Sequence, residues 1–77
     1  MTSDTIEFSL KQDHIALCDL LKATGIAESG GQGKEMVTRG EVQVDGQVEI
    51  RKAAMIRAGQ RITVARTVIL VTGQTKD

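Results

Sequence analysis

The feature that most narrows the possible folds is a change of hydrophobic period at Gly40. Ahead of it, Leu17, Leu20 and Leu21 recur at helical spacing with Lys22 pointing away from their stripe, and Met36 and Val37 supply the apolar contacts of a second segment. Beyond it the period is two. Val42, Val44, Val48 and Ile50 alternate around Asp45-Gly46, a strong short-range hairpin signal. Helices and strands are thus segregated along the chain, which is the pattern of an α+β domain. Seventy-seven residues leave room for one such domain, residues 1–77.

The individual elements follow from local chemistry. Ile6, Phe8 and Leu10 alternate with Glu7 and Ser9, a short strand ahead of the helices. Helix one is expected over residues 15–24, with Asp13 or His14 in the N-cap region and Gly25 as its stop. Helix two begins at Ser29, where Gln32 three residues on completes the outline of a capping box, and Gly40 sits where a left-handed C-cap falls. Gly30, Gly31 and Gly33 each cost about 1 kcal/mol in a helix relative to alanine, so something other than propensity accounts for them. Ile56 begins another short strand before the turn Ala58-Gly59-Gln60, and Ile62 and Val64 alternate in the next. The last strand is expected over residues 67–71, after a tight turn at Ala65-Arg66, two residues that do not favour one. The predicted architecture is two N-terminal helices packed on a small, mostly antiparallel sheet of four to five short strands. Its ordered core is expected over residues 6–72, with polar, pattern-free ends at 1–5 and 73–77.

Several function classes find no support. Cys18 is the only cysteine and His14 the only histidine, too few for a disulfide or for a cysteine- or histidine-based metal site. Cys18 flanks the stripe of helix one as a half-buried, inert thiol. No cofactor is expected, and no acidic pair stands out as catalytic. The sequence MTSDTIEF lacks a basic leader followed by an apolar core, and the longest apolar run, residues 68–71, is too short to cross a bilayer. A cytoplasmic protein with no membrane association is the expectation. Gly31-Gln32-Gly33-Lys34 invites phosphate-loop comparisons that fail. A P-loop needs glycine where Glu28 stands and Ser or Thr where Glu35 stands, and the dinucleotide fingerprint needs glycine at Met36.

Charge is more instructive in its placement than in its sum, which is zero. Arg51, Lys52, Arg57, Arg61, Arg66 and Lys76 follow Ile50 with no acid among them until Asp77, whereas the first forty-nine residues hold nine acids against four bases. A basic face on a neutral molecule is what phosphate binding requires. Helix two opens with free amides and the positive end of its dipole, Gly30 and Gly31 let an anion approach the backbone, and Lys34 stands one turn on. For Gly33, close packing on helix one is the preferred explanation. Arg51 and Lys52 taken singly are ordinary strand-end residues. Beside helix two, with Lys22, Lys34, Arg39 and Arg57, they would form one cationic groove, expected near the N-terminus of that helix. With Phe8 as the only aromatic residue, the chain lacks the stacking platform of single-strand binders, so shape and phosphates of a structured region are the expected ligand.

The order of residues also resembles a known family. Leu17-Cys18-Asp19-Leu20-Leu21-Lys22, Gly25-Ile26, Glu28-Ser29-Gly30-Gly31-Gln32-Gly33-Lys34, the run from Gly40 to Gly46, and Glu49-Ile50-Arg51-Lys52 look like the αL motif. This is the RNA-binding domain first described in small-subunit ribosomal protein S-four, and the small stand-alone bacterial YbcJ and YaaA type is the subgroup most resembled. The resemblance runs from about Phe8 to Val71. It implies helix and hairpin residues on one RNA-contacting surface, and points to Lys22, Ser29, Gly30, Lys34, Arg51 and Lys52, with Arg57 after them. Departures are Gly30 where many members carry arginine, Gly33 where close relatives carry alanine, and Ala54 and Met55 where extra basic residues occur. Arg66 stands in a turn where glycine would be easier.

The leading expectation is a non-catalytic, monomeric RNA-binding protein that docks on structured RNA of the ribosomal or transfer RNA kind, ribosome association included. The alternatives are a protein-interaction module and a helix-turn-helix DNA binder built on residues 20–37.

Overall fold

The computed structural model describes residues 4–73. Along the chain run β1 (Asp4–Ser9), β2 (Ile15–Ala16), α1 (Leu17–Ala23), α2 (Gly30–Thr38), β3 (Val42–Val44), β4 (Gln47–Val48), β5 (Met55–Ile56), β6 (Arg61–Val64) and β7 (Thr67–Thr72). Five strands make a mixed sheet in the order β1-β7-β6-β3-β4, in which only β1 and β7 run parallel. β2 and β5 form a separate two-stranded antiparallel ribbon. The α+β architecture is as the pattern predicts, and the five-stranded sheet matches the upper end of the expected strand number.

Alternation decides which strand residues reach the core. Ile62 and Val64 of β6, Ile69 and Val71 of β7, and Val42 of β3 are buried on the face covered by the helices. The α1 stripe of Leu17, Leu20 and Leu21 meets them, with Val37 of α2 and Ile56 of β5. Each large aliphatic side chain so buried contributes about 1.5–3 kcal/mol. Phe8 lies half-buried against this cluster.

Helix one differs from its prediction at the start. Ile15 and Ala16 pair with Ile56 and Met55 as a strand, and the helix begins only at Leu17. Neither Asp13 nor His14 caps it. The N-cap is Ala16, which has no side-chain acceptor; instead the amides of Leu17 and Cys18 donate to the carbonyls of Ala54 (2.9 Å) and Lys52 (3.1 Å). A remote backbone segment satisfies amides that a polar side chain would otherwise serve. Cys18 is buried, not half-buried.

Helix two starts where predicted. Ser29 Oγ accepts from the Gln32 amide at 3.1 Å, while Gln32 Oε1 accepts from the Glu28 amide, one residue earlier than an ideal capping box would use. Gly25 and Gly40 follow the two helix ends, as expected. Gly33 is the point where the helices touch: a Cβ there would lie 2.8 Å from the carbonyl oxygen of Cys18. Close packing is the physical account of that glycine.

The Asp45-Gly46 hairpin forms, with φ of 52° and 87° at its two turn residues. Its second arm departs from the pattern. A two-residue loop pairs Val44 with Gln47 and Gln43 with Val48, so Val48 shares a face with Gln43 and not with Val42 and Val44. Alternation read straight through the turn changes face at the turn. Val48 and Ile50 are consequently exposed. The Ala65-Arg66 turn also forms, and Ala65, not Arg66, adopts the positive φ. Asp4 and Thr5, expected to fray, pair with Thr67 and Val68, and β7 runs one residue beyond its prediction to Thr72. Gly73 packs near Ala58. The remainder of the expected frayed ends lies outside the described residues.

Candidate nucleic-acid interface

The backbone bonds that cap α1 also fix the segment carrying the paired cations. Because Lys52 and Ala54 accept from α1, residues 51–54 are held across the start of that helix while the side chains of Arg51, Lys52 and Ala53 remain exposed. The segment borders an open depression of about 660 Å3, walled by Thr38 at the end of α2 and by Ile50, Arg51, Lys52, Ala54 and Met55.

Arg51 is the best-defined cation of the surface. Its Nε donates to Glu49 Oε2 at 3.0 Å and its Nη2 to Glu49 Oε1 at 3.3 Å, and its own amide donates to Oε2 at 3.0 Å. The Glu49 side chain is 20% exposed and the Arg51 side chain 79%. One edge of the guanidinium fork is therefore held while the rest faces solvent. Hydrogen bonds from the Arg51 side chain, and then from its amide, lower the Glu49 pKa below the ordinary carboxylate range; the same carboxylate raises that of Arg51.

The remaining predicted residues are spread along the helices. Lys34 and Thr38 are four apart in α2 and so share a face, which brings Lys34 to the side of the helix that meets the depression. Ser29, Gly30 and Gly31 lie at the opposite end of α2. From Gly31 to Thr38 the axis advances about 10 Å at 1.5 Å per residue. The depression thus meets α2 at its C-terminal end, not at its N-terminus as expected from the sequence. The Gly30 and Gly31 amides have no acceptor among the described residues. Lys22, exposed in the last turn of α1, stands four residues after Cys18 and on the same side of the helix.

Of the predicted basic residues, only Arg51 and Lys52 line the depression. Arg57 lies in the turn after β5, where its amide donates to Gln60 Oε1 at 2.7 Å, and it does not line the depression. Arg39 lies 3.7 Å from both Glu35 and Glu41 and does not line the depression. Lys22, Lys34 and Lys52 have no acidic partner among the described residues.

What sequence reasoning missed is the apolar part of this surface. Ile50 and Met55 are 62% and 56% exposed beside the two cations. Counting pairs outward from Asp45-Gly46 would have exposed Val48 and, by continuation, Ile50; nothing local marks Met55. No group of three or more metal-ligating side chains occurs among the described residues, and no helix there is long and apolar enough to cross a membrane.

Comparison with known proteins gives a consistent picture. The protein YbcJ of Escherichia coli (strain K12) is 52% identical over 59 residues, spanning 75% of this chain and 84% of that protein. YbcJ of Shigella flexneri matches to the same extent. The solution structure of E. coli YbcJ, described as revealing an αL motif involved in RNA-binding, superposes with a TM-score of 0.69 at 45% identity, covering 94% of this chain and 92% of that one. A tyrosine–tRNA ligase of Moorella thermoacetica is 28% identical over 69 residues, a stretch that is only 17% of the ligase. The family model described as the S4 domain matches residues 8–72, and the chain belongs to the S4 domain family.

Proposed function

We propose that the protein is a non-catalytic, cytoplasmic RNA-binding protein that docks as a monomer on structured RNA of the ribosomal or transfer RNA kind. The observation that carries this reading is the depression bearing Arg51 and Lys52, which no acidic side chain lines. The E. coli YbcJ structure, with its motif described as involved in RNA-binding, supports the same class of ligand.

In this reading Arg51 and Lys52 supply the principal phosphate contacts, and Lys34 extends the cationic track along α2. Ser29, Gly30 and Gly31 offer backbone amides to a phosphate further along the strand, since about 10–14 Å separates them from Thr38 at 1.5 Å per residue. Lys22 and Arg57 contribute at the margins. A helix-turn-helix docking on DNA fits less well, because the exposed start of α2 offers glycines where base-reading side chains are needed.

The test is a double charge reversal, Arg51→Glu with Lys52→Glu, assayed against a transfer RNA transcript across a salt series. Loss of two phosphate contacts should weaken binding more than tenfold and flatten the log–log salt slope by about 2, at close to one unit per phosphate. Circular dichroism should be unchanged, as both side chains are exposed. Undiminished binding by that variant would refute the assignment of this surface.

A further inference from the structure

Ile50 and Met55 are the unusual part of a surface otherwise suited to phosphates. Both are large, more than half exposed, and share one depression with Arg51 and Lys52. An unbroken RNA stem gives such side chains little to cover, because its shallow minor groove displays 2′-hydroxyls and polar base edges while the base faces are stacked away. An unstacked base is different. It presents a flat apolar face, and the phosphates on either side carry the charge that the two cations complement.

Size and chemistry agree with that ligand. The depression, about 660 Å3, lies within the range of roughly 300–1,000 Å3 typical of small-ligand clefts. Glu49, the nearest acid in sequence, is tied to Arg51 and does not line the depression. Thr38 Oγ1 donates to the Glu35 carbonyl at 3.0 Å, which leaves its lone pairs at the rim as acceptors for a base edge. We infer that the depression takes one extruded nucleotide of a folded RNA, its base against Ile50 and Met55 and its phosphates at Arg51 and Lys52. This rests on the RNA-binding reading above and narrows it: the preferred ligand has a bulge or loop, not a continuous stem.

Two RNA hairpins test it, one with an unbroken stem and one with the same stem carrying a single bulged 2-aminopurine. The wild-type protein should bind the bulged hairpin about fivefold tighter, no more than the lower end of what stacking one base on an aromatic ring contributes, since Ile50 and Met55 are aliphatic. The fluorescence of the 2-aminopurine should change on binding. Ile50→Ser with Met55→Ser should erase the preference yet leave affinity for the unbroken stem as in the wild type. Equal wild-type affinity for both hairpins overturns the inference, as does a preference that survives the double substitution. If that variant fails to fold, the wild-type fluorescence decides, and an unchanged signal in the complex counts against extrusion. A ribonuclease-resistant protein complex lost in the double variant, with no bulge preference in the wild type, would assign the apolar pair to a protein partner instead. Failure of the RNA reading itself looks different: Arg51→Glu with Lys52→Glu would then weaken neither hairpin.

Discussion

Two hairpins with loops of the same length lie in one sheet and are built on opposite terms. The β3–β4 hairpin turns on Asp45-Gly46, residues suited to positive φ, yet its arms are only three and two residues long and its second arm is exposed. The β6–β7 hairpin turns on Ala65-Arg66, with Ala65 forced to a φ of 54°, yet its arms are four and six residues long and bury Ile62, Val64, Ile69 and Val71. A favourable turn closes a hairpin with little packing behind it. Buried arms impose a turn that its residues resist. The first arrangement leaves side chains free for a ligand; the second supports the fold.

The largest effect that separates the two is in their arms. Ile69→Ala should cost about 2–5 kcal/mol through lost burial and the cavity it leaves. Val48→Ala should stay within about 0.5 kcal/mol, as is usual for exposed positions. Urea unfolding of both variants measures this, and similar losses would break the contrast.

The turns should respond with opposite signs. Gly46→Ala forces a side chain into the left-handed region at a φ of 87° and should destabilise the protein by about 1–2 kcal/mol. Ala65→Gly relieves a strain of that same order but loosens the unfolded chain by about 0.4–1 kcal/mol, so it should stabilise by under about 1 kcal/mol. Thermal unfolding that moves both variants in one direction would show that Ala65 is not strained.

The smallest effect concerns how the chain beyond β4 is held, by an ion pair where β7 is held by packing. Because Glu49 has a lowered pKa in the folded state, its contribution is present above the ordinary carboxylate range and is lost as pH falls through the folded value. An NMR titration should place its midpoint below that of an unpaired glutamate, and Arg51→Ala should raise it only part of the way back, because the amide of residue 51 still donates to the carboxylate. A midpoint that ignores Arg51 would dissolve the pair as an ordering element.

Much of this was legible because it is local. Leu17, Leu20 and Leu21 announce a helix face, Ser29 with Gln32 a helix start, and Asp45-Gly46 a turn, each within a few residues. The start of α1 was not, since Ile15 and Ala16 take their structure from Met55 and Ile56, far along the chain. The cations were visible as a charge run, but exposed Ile50 was hidden by alternation carried across the two-residue turn, and no local signal marked Met55. The placement of the depression at Thr38 depends on how α2 crosses α1 at Gly33, a tertiary fact without a sequence period.

The backbone cap on α1 has a consequence for how the chain comes into being. During synthesis α1 emerges well before Lys52 and Ala54, and until they arrive Leu17 and Cys18 hold bare amides at the head of a seven-residue helix. A helix that short does not persist alone in water. The helix pair should therefore be no separable unit: a peptide ending before Lys52 should lack α1. In the finished protein, the segment that completes the helix is the one that carries the cations, so their position is set by the act of folding.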